Sequence, residues 1–127
     1  MIYAEQRSST TQFELGQMFR KADDENRDYS RAAEWFRRSA QQGYRKAQFK
    51  LGLMYARGLG VTQDYIEAYA WLKIAASQGS HKAIQCLDRY AHYLPASKIE
   101  EARILSRAYY ERYVVPFAGR PDRSNCY

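Results

Sequence analysis

The sequence has only two cysteines among its 127 residues, Cys86 and Cys126, and they lie far apart. This excludes a framework of several disulfides, and no CxxC or Cys/His spacing predicts a zinc site. Apolar runs are short as well. None approaches the roughly 18 residues that a transmembrane helix needs, so no membrane insertion is expected. The opening MIYAEQRSSTTQ lacks the apolar stretch of a signal peptide. We therefore expect a cytoplasmic protein, or a periplasmic one if a signal peptide has been removed.

The composition is otherwise that of an ordinary globular domain. Hydrophobic residues make up 46% of the chain and charged residues 27%, which is not the balance of a disordered chain. The 12 tyrosines outnumber the other aromatic residues, and tyrosine suits thin folds because its ring can be buried while its hydroxyl stays hydrated. The net charge of +6 permits an acidic partner, whether protein, nucleic acid or membrane, and selects none of them.

The chain repeats itself with a period of 36 residues. When residues 11–46 are laid over residues 47–82, 13 of the 36 positions are identical, whereas average composition would give about two. A third copy begins on schedule with Ala83 and Leu87, but Asp88 then stands where both earlier copies have glycine. The sequence therefore predicts a repeat array that decays toward its C-terminus.

Each repeat has the pattern of two helices. In the second copy, Ala47, Leu51 and Met54 follow the spacing of one helical face. Gly58 can end that helix in the left-handed conformation. Asp64 precedes the next apolar stripe as an N-cap, which is typically worth about 1 kcal/mol. We predict six helices in antiparallel pairs with short connections.

Two glycines and two tryptophans recur at matching places. Gly16 and Gly52 lie inside the predicted first helices, where glycine costs up to about 1 kcal/mol relative to alanine. We interpret them as points at which the two helices of a pair cross with no side chain between them. Trp35 and Trp71 lie on the apolar stripes of the second helices, so we predict that both are equivalent core residues.

The pattern AxxxLGxMYxxGxGVxQDYxxAxxWxxxAAxQG in residues 47–79 closely resembles the Sel-one-like repeat, a 36-residue relative of the tetratricopeptide repeat. The resemblance implies an all-α fold, a right-handed α-α superhelix (solenoid) of about six antiparallel helices in pairs. It divides the chain into an N-terminal extension (1–10), repeat 1 (11–46), repeat 2 (47–82), a degenerate repeat 3 that acts as a C-terminal cap (83–113) and a C-terminal tail (114–127).

The same resemblance implies a non-catalytic scaffold or adaptor that binds another protein. One branch of the family carries regularly spaced disulfide-bonded cysteines, is secreted and has been linked to binding of β-lactam compounds. This sequence lacks that cysteine pattern, so a ligand-binding role of that kind is a disfavoured alternative.

No pattern predicts a catalytic or metal site. His81 and His92 are eleven residues apart and have no third metal ligand beside them. The acidic run ADDEN at 22–26 lacks the alternating ligands and the glycine of a calcium loop. Gly58 and Gly60 lack the third glycine of a phosphate-binding loop. We therefore predict that the protein is not an enzyme and needs no cofactor or metal.

Partner binding is expected on the concave surface, which solenoids of helix pairs build from the first helix of each pair. The related tetratricopeptide fold, aligned on the shared Leu-Gly, suggests which twelve positions face this groove. None of the twelve is Asp or Glu, although acids are 14 of the 34 charged residues, so we expect an acidic peptide or domain as the partner. The predicted partner-binding residues are Phe13, Gln17, Arg20, Lys21, Lys46, Phe49, Leu53, Arg57, Lys82, Gln85, Arg89 and His92.

Two other expectations concern the basic surface and the C-terminus. A nucleic-acid-binding protein remains an alternative, although most tyrosines have core-facing spacing and do not form a stacking platform. The last predicted helix is rich in tyrosine and is followed by Val-Val-Pro-Phe, in which Pro116 stops the helix. We predict that this segment packs back on the last helices or against a neighbouring molecule, which would allow self-association.

Overall fold

The computed structural model describes residues 8–22 and 27–118 of the chain. Within these ranges there are six α-helices, one short 3-10 helix and no β-strand, so the predicted all-α fold is confirmed. Residues 1–7 of the predicted extension and 119–127 of the predicted tail lie outside the described residues. The elements are α1 (Ser9–Lys21), α2 (Tyr29–Ala40), α3 (Arg45–Arg57), α4 (Tyr65–Ser77), α5 (His81–Ala91), α6 (Ala96–Tyr113) and the 3-10 helix (Val115–Phe117).

Short polar side chains begin four of the helices. The hydroxyl of Ser8 accepts a hydrogen bond from the backbone N–H of Thr11 at the start of α1. Asp28 and Ser80 cap α2 and α5 in the same way. Asp64 caps α4 as predicted, because its carboxylate accepts from two N–H groups of the first turn. Each such cap is typically worth about 1 kcal/mol, so local sequence sets where these helices begin.

Three predicted roles of glycine are confirmed. A Cβ at Gly16 would stand only 2.7 Å from the ring of Phe36. A Cβ at Gly52 would stand 2.8 Å from the side chain of Leu72. Both glycines therefore let the first helix of a pair cross the second at close range. Gly58 ends α3 with a φ of 70°, a left-handed conformation that glycine adopts at little cost.

Two clusters of buried side chains hold the helices together. The smaller cluster consists of Leu72, Ala75 and Ala83 and joins α4 to α5. The main core joins α2, α3 and α4 to the C-terminal end of α6. Its buried members are Ala32, Ala33, Phe36, Ala40, Tyr44, Ala47, Leu51, Met54, Trp71, Ile74 and Val114.

The two repeated tryptophans differ in burial. Trp71 is 1% exposed and belongs to the main core. Trp35 is half-buried, lies outside that core and is stacked by the guanidinium of Arg38, 4.6 Å from its ring centre. The prediction that both are equivalent core residues is therefore wrong for Trp35. The adjacent Phe36 is fully buried in its place.

The third pair of helices lacks a hydrogen bond that both earlier pairs have. In repeat 1 the side-chain amide of Gln42 donates to the Oε1 of Gln12 at 2.6 Å. In repeat 2 the amide of Gln78 donates to the Oε1 of Gln48, also at 2.6 Å. The third copy has Ile84 at the matching position, and its side chain is 48% exposed. The glutamine–glutamine hydrogen bond is therefore present in repeats 1 and 2 and missing from the third pair of helices.

α6 packs chiefly along α4 instead of closing a tight hairpin with α5. Asp88 of α5 stands where Gly16 and Gly52 permit close crossing in the first two pairs. A carboxylate is too bulky and too costly to desolvate for such a crossing. α6 is consequently a helix that covers repeat 2, and it differs in this respect from the second helices of repeats 1 and 2.

Tyrosine side chains make the contact between α6 and α4. The rings of Tyr109 and Tyr113 lie 4.6 Å and 5.5 Å from the ring of Trp71. The hydroxyl of Tyr109 donates to the Oε1 of Glu67 at 2.9 Å. Burial and this hydrogen bond raise the pKa of Tyr109 well above its ordinary value, so the hydroxyl remains a donor across the physiological pH range.

Replacing Val114 by alanine is expected to lower the free energy of unfolding by about 2 kcal/mol. Val114 follows α6, is 6% exposed and joins the main core, so the loss of two methyl groups leaves a cavity. Val115→Ala is the matched control, because Val115 is 53% exposed and should change the stability little. Chemical denaturation measures both variants. Equal stabilities of the two would contradict the packing of this segment against the core.

Candidate functional site

α1, α3 and the turn that leads into α5 surround a cleft of about 520 Å³, which we call the basic cleft. It is built largely from the first helices of the repeats, the elements on which sequence analysis placed the partner-binding groove. The residues that line it are Phe13, Gln17, Arg45, Lys46, Phe49, Lys50, Gly79, Ser80, His81 and Lys82.

Two phenylalanines form the apolar part of the basic cleft. Phe13 lies 5.5 Å from the ring of Phe36 and 5.4 Å from that of Tyr44, so its ring is anchored against the main core. Phe49 packs against the smaller cluster, and the ammonium of Lys50 lies 5.7 Å from its ring centre. Both phenylalanines are half-buried. Each can therefore offer part of a rigid ring to a bound side chain.

Lys50 is at the centre of the positive charge of the cleft. Burial lowers the pKa of its ammonium, and the nearby charges of four other cations lower it further. Among the described residues, the charged groups that act on it are all positive. They are Arg20, Lys82, Lys21 and Arg57.

Sequence analysis missed Lys50, although a signal for it was present. It lies four residues after Lys46 and three before Leu53, which places it on the same helical face as those two predicted residues. Arg45 was also missed. Its guanidinium donates to the backbone carbonyl of Gln78 at 2.7 Å, which ties the start of α3 to the end of α4.

The structure brings eight of the twelve predicted residues together. Five line the basic cleft: Phe13, Gln17, Lys46, Phe49 and Lys82. Arg20, Lys21 and Arg57 lie close enough to Lys50 to act on its pKa, as Lys82 does. Leu53 is half-buried on α3, whereas Gln85, Arg89 and His92 are exposed on or just beyond α5 and outside the cleft lining.

The cleft has the chemistry of a binding surface for anions. Its polar groups are mainly ammonium, guanidinium and amide donors, and they flank two aromatic rings. No group of three or more His, Cys, Asp or Glu side chains among the described residues could hold a metal ion. Residues 23–26 of the acidic run lie outside the described residues. No described helix has the length and apolar character needed to cross a membrane.

A family model described as Sel1 repeat matches residues 9–44 and 45–80, which is more than half of the chain. Among solved structures, the chain is similar to c5321 of uropathogenic Escherichia coli, described as a protective antigen displaying an SLR fold. The identity is 31% and the TM-score 0.84, over 94% of this chain and 26% of that one. It is also similar to a Sel1 repeat protein from Oxalobacter formigenes, with 40% identity and a TM-score of 0.62, over 65% of this chain and 24% of that one.

The chain thus spans about a quarter of the length of these two solved proteins. A comparison with curated proteins finds no significant match. The likeness to an SLR structure confirms the predicted superhelix of helix pairs. Sel1 repeat proteins generally act as non-catalytic scaffolds that bind other proteins. The chain belongs to the Sel1 repeat family.

Proposed function

We propose that this chain is a non-catalytic scaffold that binds an acidic segment of a partner protein in the basic cleft. The observation that carries the proposal is that Lys50 lines the basic cleft, is half-buried, and has its pKa lowered by burial and by the charges of four described cations. Gathering like charges around a partly desolvated ammonium destabilises the free protein. Such an arrangement is typical of a site that meets opposite charge, because a bound carboxylate would offset both the repulsion and the desolvation.

The geometry of the cleft suggests how the segment is held. Arg20 and Arg57 can each grip a carboxylate through two parallel N–H donors. Phe13 and Phe49 offer apolar surface between the cations for a neighbouring aliphatic or aromatic side chain. The preferred ligand is therefore a segment in which acidic and apolar side chains alternate, and its carboxylates give selectivity and a fast association rate.

Lys50→Met is expected to raise the melting temperature and to weaken the binding of an acidic peptide. The lowered pKa of Lys50 means that its charged form is less stable in the folded protein than in the unfolded chain, so a neutral side chain of similar length removes that cost. The probe is a fluorescent peptide of alternating glutamate and leucine, and its matched control has glutamine in place of glutamate. Fluorescence anisotropy at low and moderate salt measures the affinity. A lower melting temperature with unchanged affinity would overturn the assignment.

A charge reversal tests whether the cleft or the overall charge binds the peptide. Lys46→Glu combined with Lys82→Glu is expected to abolish binding of the glutamate–leucine peptide while the helical circular dichroism stays unchanged, because both side chains line the basic cleft and are exposed. Arg103→Glu with Arg107→Glu is the control, because both are exposed on α6. Arg37 is unsuitable as a control, since its guanidinium donates to the Tyr55 hydroxyl at 2.6 Å.

The two double variants separate the possible outcomes. Equal losses from both pairs would indicate diffuse attraction by the net charge. Full binding by the Lys46/Lys82 variant would move the site away from the basic cleft. Because both pairs change the net charge by the same amount, a difference between them reflects the position of the charges and not the net charge.

A further inference from the structure

Repeat 1 has an open crevice whose counterpart in repeat 2 is filled. The crevice has a volume of about 300 Å³ and is formed by α1 and α2 from residues that do not line the basic cleft; we call it the Trp35 crevice. It is lined by Phe19, Arg31, Glu34, Trp35 and Arg38. One repeat later, 36 residues on, the matching positions are Tyr55, Glu67, Ala70, Trp71 and Ile74.

α6 shows what kind of side chain fits this place in the repeat. In repeat 2, Tyr109 and Tyr113 pack on Trp71, and Tyr109 donates to Glu67 at its edge. Tyr109 and Tyr113 are four residues apart, so they lie on one face of the helix. Trp71 is consequently 1% exposed. The occupant in repeat 2 is therefore a helix that presents two aromatic rings one turn apart.

In repeat 1 the aromatic rings are covered by the charged side chains of the repeat itself. The Arg38 guanidinium lies 4.6 Å from the ring centre of Trp35, and that of Arg31 lies 5.6 Å from the ring centre of Phe19. Trp35 nevertheless remains partly exposed. Flexible arginine side chains can move aside, so the rings are available to a better-fitting apolar partner.

The charge of the crevice differs from that of its filled counterpart. Arg31 replaces Glu67, the residue that accepts the hydrogen bond of Tyr109, and Arg38 replaces the apolar Ile74. Arg38 pairs with Glu34 at 2.9 Å, and the Nε of Arg31 lies 3.5 Å from the carboxylate of Asp28. The side chain of Arg31 is 67% exposed, so its other N–H donors are accessible to an occupant of the crevice. An occupant of the Trp35 crevice should therefore carry a carboxylate near Arg31. This is the place where the hydroxyl of Tyr109 lies in repeat 2.

We propose that the Trp35 crevice binds an α-helix of a partner protein that presents two aromatic side chains one turn apart and a carboxylate toward Arg31. The rings would stack on Trp35 and Phe19 as the rings of α6 stack on Trp71. The carboxylate would take a charge-assisted hydrogen bond from the guanidinium of Arg31. This site is separate from the basic cleft, so a partner could engage either surface alone or both together.

A helical peptide derived from α6 is the probe. It comprises residues 98–117 with Ser106→Glu, which adds a carboxylate one turn before Tyr109 on the buried face of the helix. The control peptide has the same sequence with Tyr109→Ala and Tyr113→Ala. Binding to the full chain is measured by calorimetry. The two indole N–H signals in NMR spectra report separately on Trp35 and Trp71.

The proposal predicts that the probe shifts the indole signal of Trp35 and leaves that of Trp71 in place. Removing the two tyrosines from the probe, or replacing Trp35 by alanine in the protein, should weaken binding at least about tenfold. Arg31→Glu should weaken the probe but not the parent peptide with Ser106, because only the probe offers a carboxylate to that position.

Several results would overturn the proposal. One is the absence of any binding, and another is equal affinity of the probe and its alanine control. A shift of Trp71 in place of Trp35 would mean that the peptide displaces α6 from repeat 2. If the probe bound only after removal of residues 1–7, the occupant of the crevice would be the chain's own N-terminal segment and not a partner.

Discussion

Replacing Trp71 by alanine is expected to lower the free energy of unfolding by about 3–5 kcal/mol. Trp71 is 1% exposed and is the largest side chain in the main core. Its loss leaves a cavity between α4 and α6 and removes the stacking partner of Tyr109 and Tyr113. Since domains of this size commonly have about 5–15 kcal/mol of stability in total, the variant should be close to unfolding at ambient temperature.

Trp35→Ala is the matched control, the same substitution one repeat earlier. We expect it to cost about 1 kcal/mol, because Trp35 is only partly buried, lies outside the main core and is covered on one face by the guanidinium of Arg38. Urea denaturation followed by circular dichroism gives both values. Equal destabilisation by the two substitutions would mean that α6 does not cover repeat 2 in solution.

Gly60→Ala is expected to lower the free energy of unfolding by about 2–4 kcal/mol. Gly60 has a φ of 75°, which disfavours any side chain. In addition, a Cβ there would overlap the backbone carbonyl of Tyr29, and it would lie 2.9 Å from the backbone nitrogen of Ser30. The loop of repeat 2 would have to lift off the start of α2, since backbone atoms cannot rotate away as a side chain can.

Gly58→Ala separates the two effects at Gly60. Gly58 has nearly the same φ, 70°, but the nearest atom to a Cβ there would be the Cβ of Gln63 at 3.1 Å, and the backbone atoms of Gln63 would lie at an ordinary contact distance of 3.6 Å. Its cost should be limited to about 1–2 kcal/mol for the left-handed conformation. Thermal melts of both variants provide the comparison. A Gly60 variant as stable as the Gly58 variant would show that the contact with α2 is looser than the structure indicates.

The sequence was sufficient to predict the features that each repeat contains in itself. The identities between the two copies mark Gly16 and Gly52, whose lack of a side chain is required by Phe36 and Leu72. The N-cap at Asp64 depends on neighbours within the same turn. Such features follow from helix periodicity and local hydrogen bonding, which a single sequence expresses directly.

The difference between the two tryptophans, which the sequence did not predict, depends on where α6 packs. Trp35 and Trp71 are the same residue at the same place in two repeats, but α6 covers only Trp71, which is buried, whereas Trp35 stays partly exposed. Nothing in the repeat pattern indicates that α6 lies along α4 instead of α5. Asp88 argues against a close crossing of α5 and α6, but it does not indicate which helix α6 packs against instead.

The partner-binding residues also include some that the sequence could predict and some that depend on contacts between different helices. The resemblance to the tetratricopeptide fold placed Lys46, Phe49 and Arg57 on the groove, and the structure brings the first two into a single cleft. The central role of Lys50 arises from charges on other helices, including Arg20 and Lys82. The distances from Lys50 to these charges depend on how α1, α3 and α5 pack together, and the residue spacing within one repeat does not determine them.

The return of α6 to repeat 2 also changes how this short array holds together. In a regular solenoid each repeat touches only its neighbours, so the ends can open independently and stability is roughly a sum of local parts. Here Tyr109 bonds to Glu67 across 42 positions of sequence, and Val114 shares a buried cluster with Ala32 of α2. Such distant contacts raise the contact order, which slows folding. They also make each end depend on the other, so the array is expected to gain and lose its structure in one cooperative step.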